Sequence, residues 1–191
     1  MCAIALTSTP PAFAAPSSPD TATVRQNQWH LRYLKAEEAQ KISRGAGVTV
    51  AVPNTGVAPH PDLQRNLLVG VETTAGSAGD GRTDSDGHGT GMAGLIAAHG
   101  QNGNAGALGV APEAKILPIR GKHSSEGRDT EDLAAGIEFA TAQGADVISI
   151  SAVAGATIRL QRAIRGGPAS KHCSCRWRRK LPRRSQRRLP S

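Results

Sequence analysis

The sequence predicts an α/β domain in which helices cover the faces of a parallel β-sheet. Short apolar, β-branched runs alternate along the chain with segments of helical spacing, and this order is typical of a parallel sheet. Aliphatic side chains are expected to form the core, because aromatic residues make up only 3% of the 191 residues.

Each element follows from its own local pattern. Apolar runs bounded by Gly or Pro predict strands, and apolar residues at helical spacing predict helices. The predicted strands are Val48–Val52, Leu67–Val71, Lys115–Ile119 and Asp146–Ile150, and the predicted helices are Leu34–Ile42, Gly89–His99 and Leu133–Ala142. Pro53 is unusual beside a central strand, because proline cannot donate a ladder hydrogen bond.

The formal net charge of +8 belongs to the C-terminal end of the chain. Residues 165–191 carry ten basic side chains and no acidic one, so the rest of the chain has 13 basic and 15 acidic residues. This tail has no apolar periodicity and is predicted to be disordered. Its Arg, Lys and Trp177 could contact phosphates and bases. The abrupt loss of periodicity instead favours a tail translated out of frame, so nucleic acid is an unlikely partner.

The first 22 residues, rich in Pro, Ser, Thr and Ala, are predicted to be a leader, with ordered structure beginning near Trp29. The small residues Ala12–Ala15 fit a signal-peptidase site, which indicates a secreted or cell-envelope protein. Cys2, Cys173 and Cys175 have the spacing of neither a disulfide framework nor a zinc site. No metal, cofactor or membrane span is expected.

Three motifs, in a fixed order along the chain, indicate the function. They are Val50–Val57 with His60–Leu63, then Asp86–Gly94, then Gly109–Ala114. Together they resemble the subtilase family of serine proteases, and more narrowly the mycosin-type proteases of actinobacteria that accompany type VII secretion. The resemblance runs from about residue 28 to about residue 164. It implies a three-layer subtilisin-like sheet with flanking helices, incomplete here, in a truncated domain at residues 23–164.

The resemblance also implies roles for four residues. His88 matches the general base, and Asn54 stands where the family has the aspartate that orients this histidine. Ser149 and Ser151 match the substrate-binding strand, and Val153 stands where many members have glycine. The nucleophile is expected in a Gly-Thr-Ser-Met-Ala-like stretch, which the sequence does not contain.

The leading hypothesis is therefore a subtilisin-like serine endopeptidase by descent, acting on peptides or proteins but inactive as this chain. An amide at position 54 has no charge with which to stabilise the imidazolium, and the corresponding exchange in another serine protease lowers kcat about 10⁴-fold. Two alternatives remain open. One is a non-catalytic module that binds peptides in the remnant cleft, and the other is a nucleic-acid binder that acts through the tail.

Overall fold

The computed structural model describes residues 21–102, 105–121, 123–124 and 127–166. The helices of this part are α1 (Thr21–Asn27), α2 (Trp29–Tyr33), α3 (Ala36–Gln40), α4 (His88–Ala97), α5 (Thr130–Ala142) and α6 (Ile158–Gly166). The strands are β1 (Thr49–Asn54), β2 (Val71–Glu72), β3 (Lys115–Arg120), β4 (His123–Ser124), β5 (Gly127–Arg128) and β6 (Val147–Ile148).

A parallel four-stranded sheet of order β2-β3-β1-β6 forms the centre of the fold. The longest pairing joins β1 to β3, from Thr49 opposite Lys115 to Asn54 opposite Arg120. The other pair, β4 and β5, forms a separate antiparallel hairpin. Because parallel strands end at the same edge of a sheet, Asn54 and Arg120 lie together at its carboxyl edge.

Alternate side chains of β1 enter two cores, one on each face of the sheet. Val50 and Val52 pack in the same cluster as Ala93 and Ala97 of α4. Ala51 points the other way and packs with Ala140 of α5. The cores therefore hold α4 and α5 on opposite faces, which confirms the predicted α/β class with a parallel sheet and flanking helices.

The predicted elements differ from those observed by one to three residues at their ends, and three of them differ more substantially. Residues 34–42 do not form one helix, because Lys35 adopts a left-handed φ of 52° between α2 and α3. The strand predicted at 67–71 pairs only at Leu67 and then from Val71. Pro118, inside β3, cannot donate to the ladder between these points. The strand predicted at 146–150 is limited to Val147–Ile148.

Helices α1, α2 and α6 and the β4–β5 hairpin are absent from the sequence prediction. Tertiary contacts hold α1 and α6. Arg25 Nε donates to the Gly106 carbonyl at 3.0 Å and Gln28 Nε2 to the Leu108 carbonyl at 2.9 Å, so ordered structure begins well before Trp29. In α6, Leu160 packs on α5. Residues 1–20 of the predicted leader and 167–191 of the predicted tail lie outside the described residues.

Candidate active site

Asn54 and His88, 34 residues apart in sequence, meet at the carboxyl edge of the sheet. Asn54 is the last residue of β1 and is only 2% exposed, whereas His88 is the exposed first residue of α4. Nδ1 of His88 lies 2.9 Å from Oδ1 of Asn54. The structure thus brings together the two residues that the sequence assigned to the histidine and its orienting partner.

The amide of Asn54 fixes the tautomer of the His88 ring. Its Oδ1 also accepts the backbone N–H of Thr55 at 2.8 Å, so an oxygen and not an NH₂ group faces both donors. Because a carbonyl oxygen can only accept, His88 Nδ1 donates, and the neutral ring keeps its lone pair on Nε2. This is the tautomer that a general base requires. An aspartate at position 54 would favour the same tautomer of His88. The asparagine therefore changes the charge of the site and not the tautomer of the histidine.

The first turn of α4 is capped from outside the helix. The N-cap residue is Gly87, which has no side chain to accept the unpaired N–H groups of the turn. Other residues replace it: Asp86 Oδ1 accepts from His88 at 3.1 Å, and Thr55 Oγ1 accepts from Gly89 at 2.9 Å. Thr55 directly follows β1, so this contact joins the end of the strand to the start of the helix.

Asp84 is the acceptor that organises this turn most extensively, and the sequence analysis missed it. Its Oδ2 accepts both the N–H of Thr90 at 2.8 Å and the Thr90 hydroxyl at 2.6 Å, while Oδ1 accepts the Gly87 N–H at 2.9 Å. The Thr90 hydroxyl in turn accepts the Ala58 N–H at 2.9 Å. An aspartate just ahead of a helix whose N-cap is glycine was the available sequence signal.

Partial burial raises the pKa of Asp84, but hydrogen bonds from Thr90, Gly87 and Thr55 outweigh burial and hold the pKa below its ordinary value. A carboxyl group with a depressed folded-state pKa stabilises the fold above its unfolded pKa of about 4. That stabilisation is lost as the pH falls through the folded-state pKa. We therefore expect Asp84→Asn to lower stability at neutral pH and to flatten the acid limb of the stability curve.

Urea unfolding at a series of pH values measures this effect. Thr90→Val removes the hydroxyl that Asp84 accepts, and it should move the acid limb to higher pH. The matched control is Thr141→Val, whose hydroxyl donates to the Ile137 carbonyl inside α5 at 2.8 Å. An acid limb that is the same in wild type and Asp84→Asn would contradict the role assigned to this carboxylate.

Ser149 and Ser151 follow β6 and are half-buried. The backbone N–H of Ser149 donates to the Ala51 carbonyl at 2.9 Å, so this serine extends the pairing of β6 with β1. Among the described residues, no hydrogen bond joins either serine to His88. Val153 is 83% exposed.

The described residues show neither a metal cluster nor a spanning helix. Within residues 21–102, 105–121, 123–124 and 127–166, no three His, Cys, Asp or Glu side chains are grouped so that they could hold a metal ion. None of the helices in those ranges has the length and apolar character needed to cross a bilayer.

Residues 45–180 match the model of the subtilase family of peptidases. The chain belongs to the subtilase family. The matched range includes Asn54, His88 and all four strands of the parallel sheet, so the family resemblance predicted from the three motifs is confirmed.

Individual subtilases support the same assignment. The chain is 39% identical over 127 residues to the major intracellular serine protease of Bacillus subtilis (strain 168), covering 63% of this chain and 39% of that protein. It is 40% identical over 137 residues to mycosin-3 of Mycobacterium tuberculosis, covering 63% of this chain and 28% of mycosin-3. The chain therefore spans less than half the length of these two relatives.

Solved subtilase structures agree on the fold. The MycP3 protease from the type VII (ESX-3) secretion system is 39% identical with a TM-score of 0.59, over 71% of this chain and 41% of that one. MycP1 with its N-terminal propeptide removed is 32% identical with a TM-score of 0.61, over 72% and 44%. The predicted likeness to mycosin-type subtilases is thereby confirmed.

Proposed function

We propose that this chain carries the histidine half of a subtilisin-like peptidase site, with His88 as general base and Asn54 as the residue that orients it. The observation that carries the proposal is the 2.9 Å contact between His88 Nδ1 and Asn54 Oδ1. It leaves Nε2 as the basic nitrogen on the exposed side of the ring. In the family, a base in this position takes the proton of a serine that attacks a peptide carbonyl.

We further propose that Ser149 and Ser151 line a peptide-binding cleft and do not attack. The Ser149 backbone is bonded to β1, and neither hydroxyl is hydrogen-bonded to His88 in the described part of the chain. The 191-residue sequence contains no Gly-Thr-Ser-Met-Ala-like stretch. With peptides or proteins as the substrate class of the family, we propose that these 191 residues hold a base without its nucleophile and are inactive on their own.

A fluorophosphonate probe tests the proposed inactivity, since it labels serines that an adjacent base activates. We expect the full chain and His88→Ala to give the same background labelling and no cleavage of a peptide substrate above buffer. Labelling of one serine that disappears in His88→Ala would show an assembled nucleophile and base, and it would contradict the proposal.

The cellular location that we propose is the cell envelope or its exterior. Small residues at Ala12–Ala15 suit signal cleavage, and the similar MycP3 protein comes from a type VII secretion system. N-terminal sequencing of the protein expressed in an actinobacterial host checks this location. A mature protein that retains residues 1–15 in the cytoplasmic fraction would contradict it.

A further inference from the structure

A basic depression lies at the edge of the sheet opposite His88. It is open to solvent, has a volume of about 380 Å³, and is lined by Arg44, Arg65, Asn66, His99, Pro112, Glu113 and Lys115. Lys115 begins β3 and Arg44 precedes β1, so the depression is at the amino edge of the parallel strands. The length of β1 separates it from Asn54, and the five residue steps from Thr49 to Asn54 span about 17 Å. It is thus a separate surface from the candidate active site.

The positive charges of this depression exceed its negative charge. Three permanent cations face a single carboxylate, which leaves a net charge of +2 when His99 is neutral. The carboxylate of Glu113 is engaged by Arg44 Nε at 2.6 Å. Lys115 Nζ donates to the backbone carbonyl of Arg65 at 2.8 Å, which holds the ammonium group beside that arginine. Arg65 and Lys115 thus stand together without a carboxylate partner in the lining.

Asn66 gives the floor of the depression a fixed geometry. It is only 5% exposed, and its Nδ2 donates to the carbonyls of Ala97 and Pro112, at 2.8 Å each. Its Oδ1 lies 3.4 Å from Lys115 Nζ. The Lys115 ammonium group therefore lies beside a buried side chain whose position is fixed by hydrogen bonds.

His99 adds a titratable group to the same wall. Its Nδ1 lies 2.7 Å from the Gly100 carbonyl oxygen and 2.9 Å from Nη2 of Arg65, and its Nε2 faces both the backbone N–H and Nε of Arg65 at 3.4 Å. The ring therefore lies against the Arg65 guanidinium and helps to hold it at the wall of the depression. Burial lowers the pKa of His99, and the charges of Arg65 and Lys115 lower it further against the opposing effects of the Gly100 carbonyl and Asp62.

We propose that this depression binds a small, doubly charged oxyanion of the sulfate and phosphate class, held chiefly by Lys115 and Arg65. Guanidinium and ammonium groups are the usual partners of such anions. An anion of charge −2 balances the net charge of +2 that the lining carries when His99 is neutral. The site does not depend on the proposed peptidase chemistry, because its residues lie outside that site.

Titration of the full chain with sulfate, followed by NMR at the amides of residues 99 and 115, tests the proposal. We expect a saturable response that sodium chloride at equal ionic strength does not reproduce.

Two variants of equal charge separate a site from general attraction. Lys115→Gln should weaken sulfate binding about tenfold, whereas Lys41→Gln, which removes an exposed charge after α3, should change it less than twofold. Circular dichroism confirms that each variant is folded. If Lys115→Gln misfolds, Arg65→Gln takes its place. A response that does not saturate, or that both lysine variants reduce equally, would overturn the proposal.

Discussion

Asn54→Asp is expected to raise kcat about 10³-fold when the segment that carries it is placed in an active subtilase. The test protein is a chimaera in which residues 45–166 of this chain replace the matching segment of the Bacillus subtilis major intracellular serine protease. That host supplies the nucleophile region. The chimaera therefore measures how well His88 and its partner at position 54 serve as base and orienting group.

The magnitude follows from the hydrogen bonds around Asn54. The corresponding exchange in another serine protease costs about 10⁴-fold because the histidine takes the wrong tautomer. Here the Thr55 N–H holds the amide oxygen towards His88, so the tautomer is retained and only the charge is missing. A carboxylate near an imidazolium contributes about 4 kcal/mol at an effective dielectric constant of about 20. Each 1.36 kcal/mol is about tenfold in rate, which gives about 10³-fold.

Two controls make this result interpretable. His88→Ala in the Asn54→Asp chimaera should remove the gain, and Asn102→Asp, the same chemical change at an exposed residue, should leave kcat unchanged. A gain well above 10⁴-fold would show that the amide is flipped in the working enzyme. No gain at all would mean that position 54 does not orient the base.

The pairing of Asn54 with His88 could be predicted from sequence because both lie in motifs with a fixed place in the fold. The motif of Asn54 ends a strand, and the motif of His88 begins the helix that packs on that strand. The support from Asp84 is local, six residues from Thr90, and its place just ahead of a glycine N-cap was a sequence signal. The support from Thr55 could not be predicted in the same way, because its hydrogen bond with Gly89 joins the end of β1 to α4 and no local pattern reports it.

The elements of the fold divide in the same way. Those with a local sequence pattern were predicted, and those that depend on contacts with distant segments were missed. Strands β1 and β3 are long apolar runs buried between two helical layers, so periodicity alone identifies them. Helix α1 has no buried residue, and it is held by hydrogen bonds from its own Arg25 and from Gln28, which follows it, to a loop about 80 residues away. The left-handed backbone conformation of Lys35 likewise could not be predicted from the sequence, because lysine is an ordinary helix former.

Gly89→Ala is expected to destabilise the protein by about 3 kcal/mol or more, because the added methyl group has no space. A Cβ at this buried position would lie 2.0 Å from the carbonyl oxygen of Gly56 and 3.1 Å from Thr55 Oγ1. The first of these is a backbone atom of the segment that follows β1, so it cannot rotate away. Relief of the clash requires α4 to move away from β1, which would also lengthen the His88–Asn54 contact.

Gly91→Ala, two residues further along α4, is the matched control. No atom lies within 4 Å of a Cβ at this exposed position, so alanine should stabilise the helix by about 0.5–1 kcal/mol. Urea unfolding of both variants gives the comparison. In the Asn54→Asp chimaera, Gly89→Ala should also lower kcat while Gly91→Ala does not. If the two glycine variants unfold within 1 kcal/mol of each other, the structure accommodates the added methyl group at position 89, which would contradict the close approach of α4 to the end of β1.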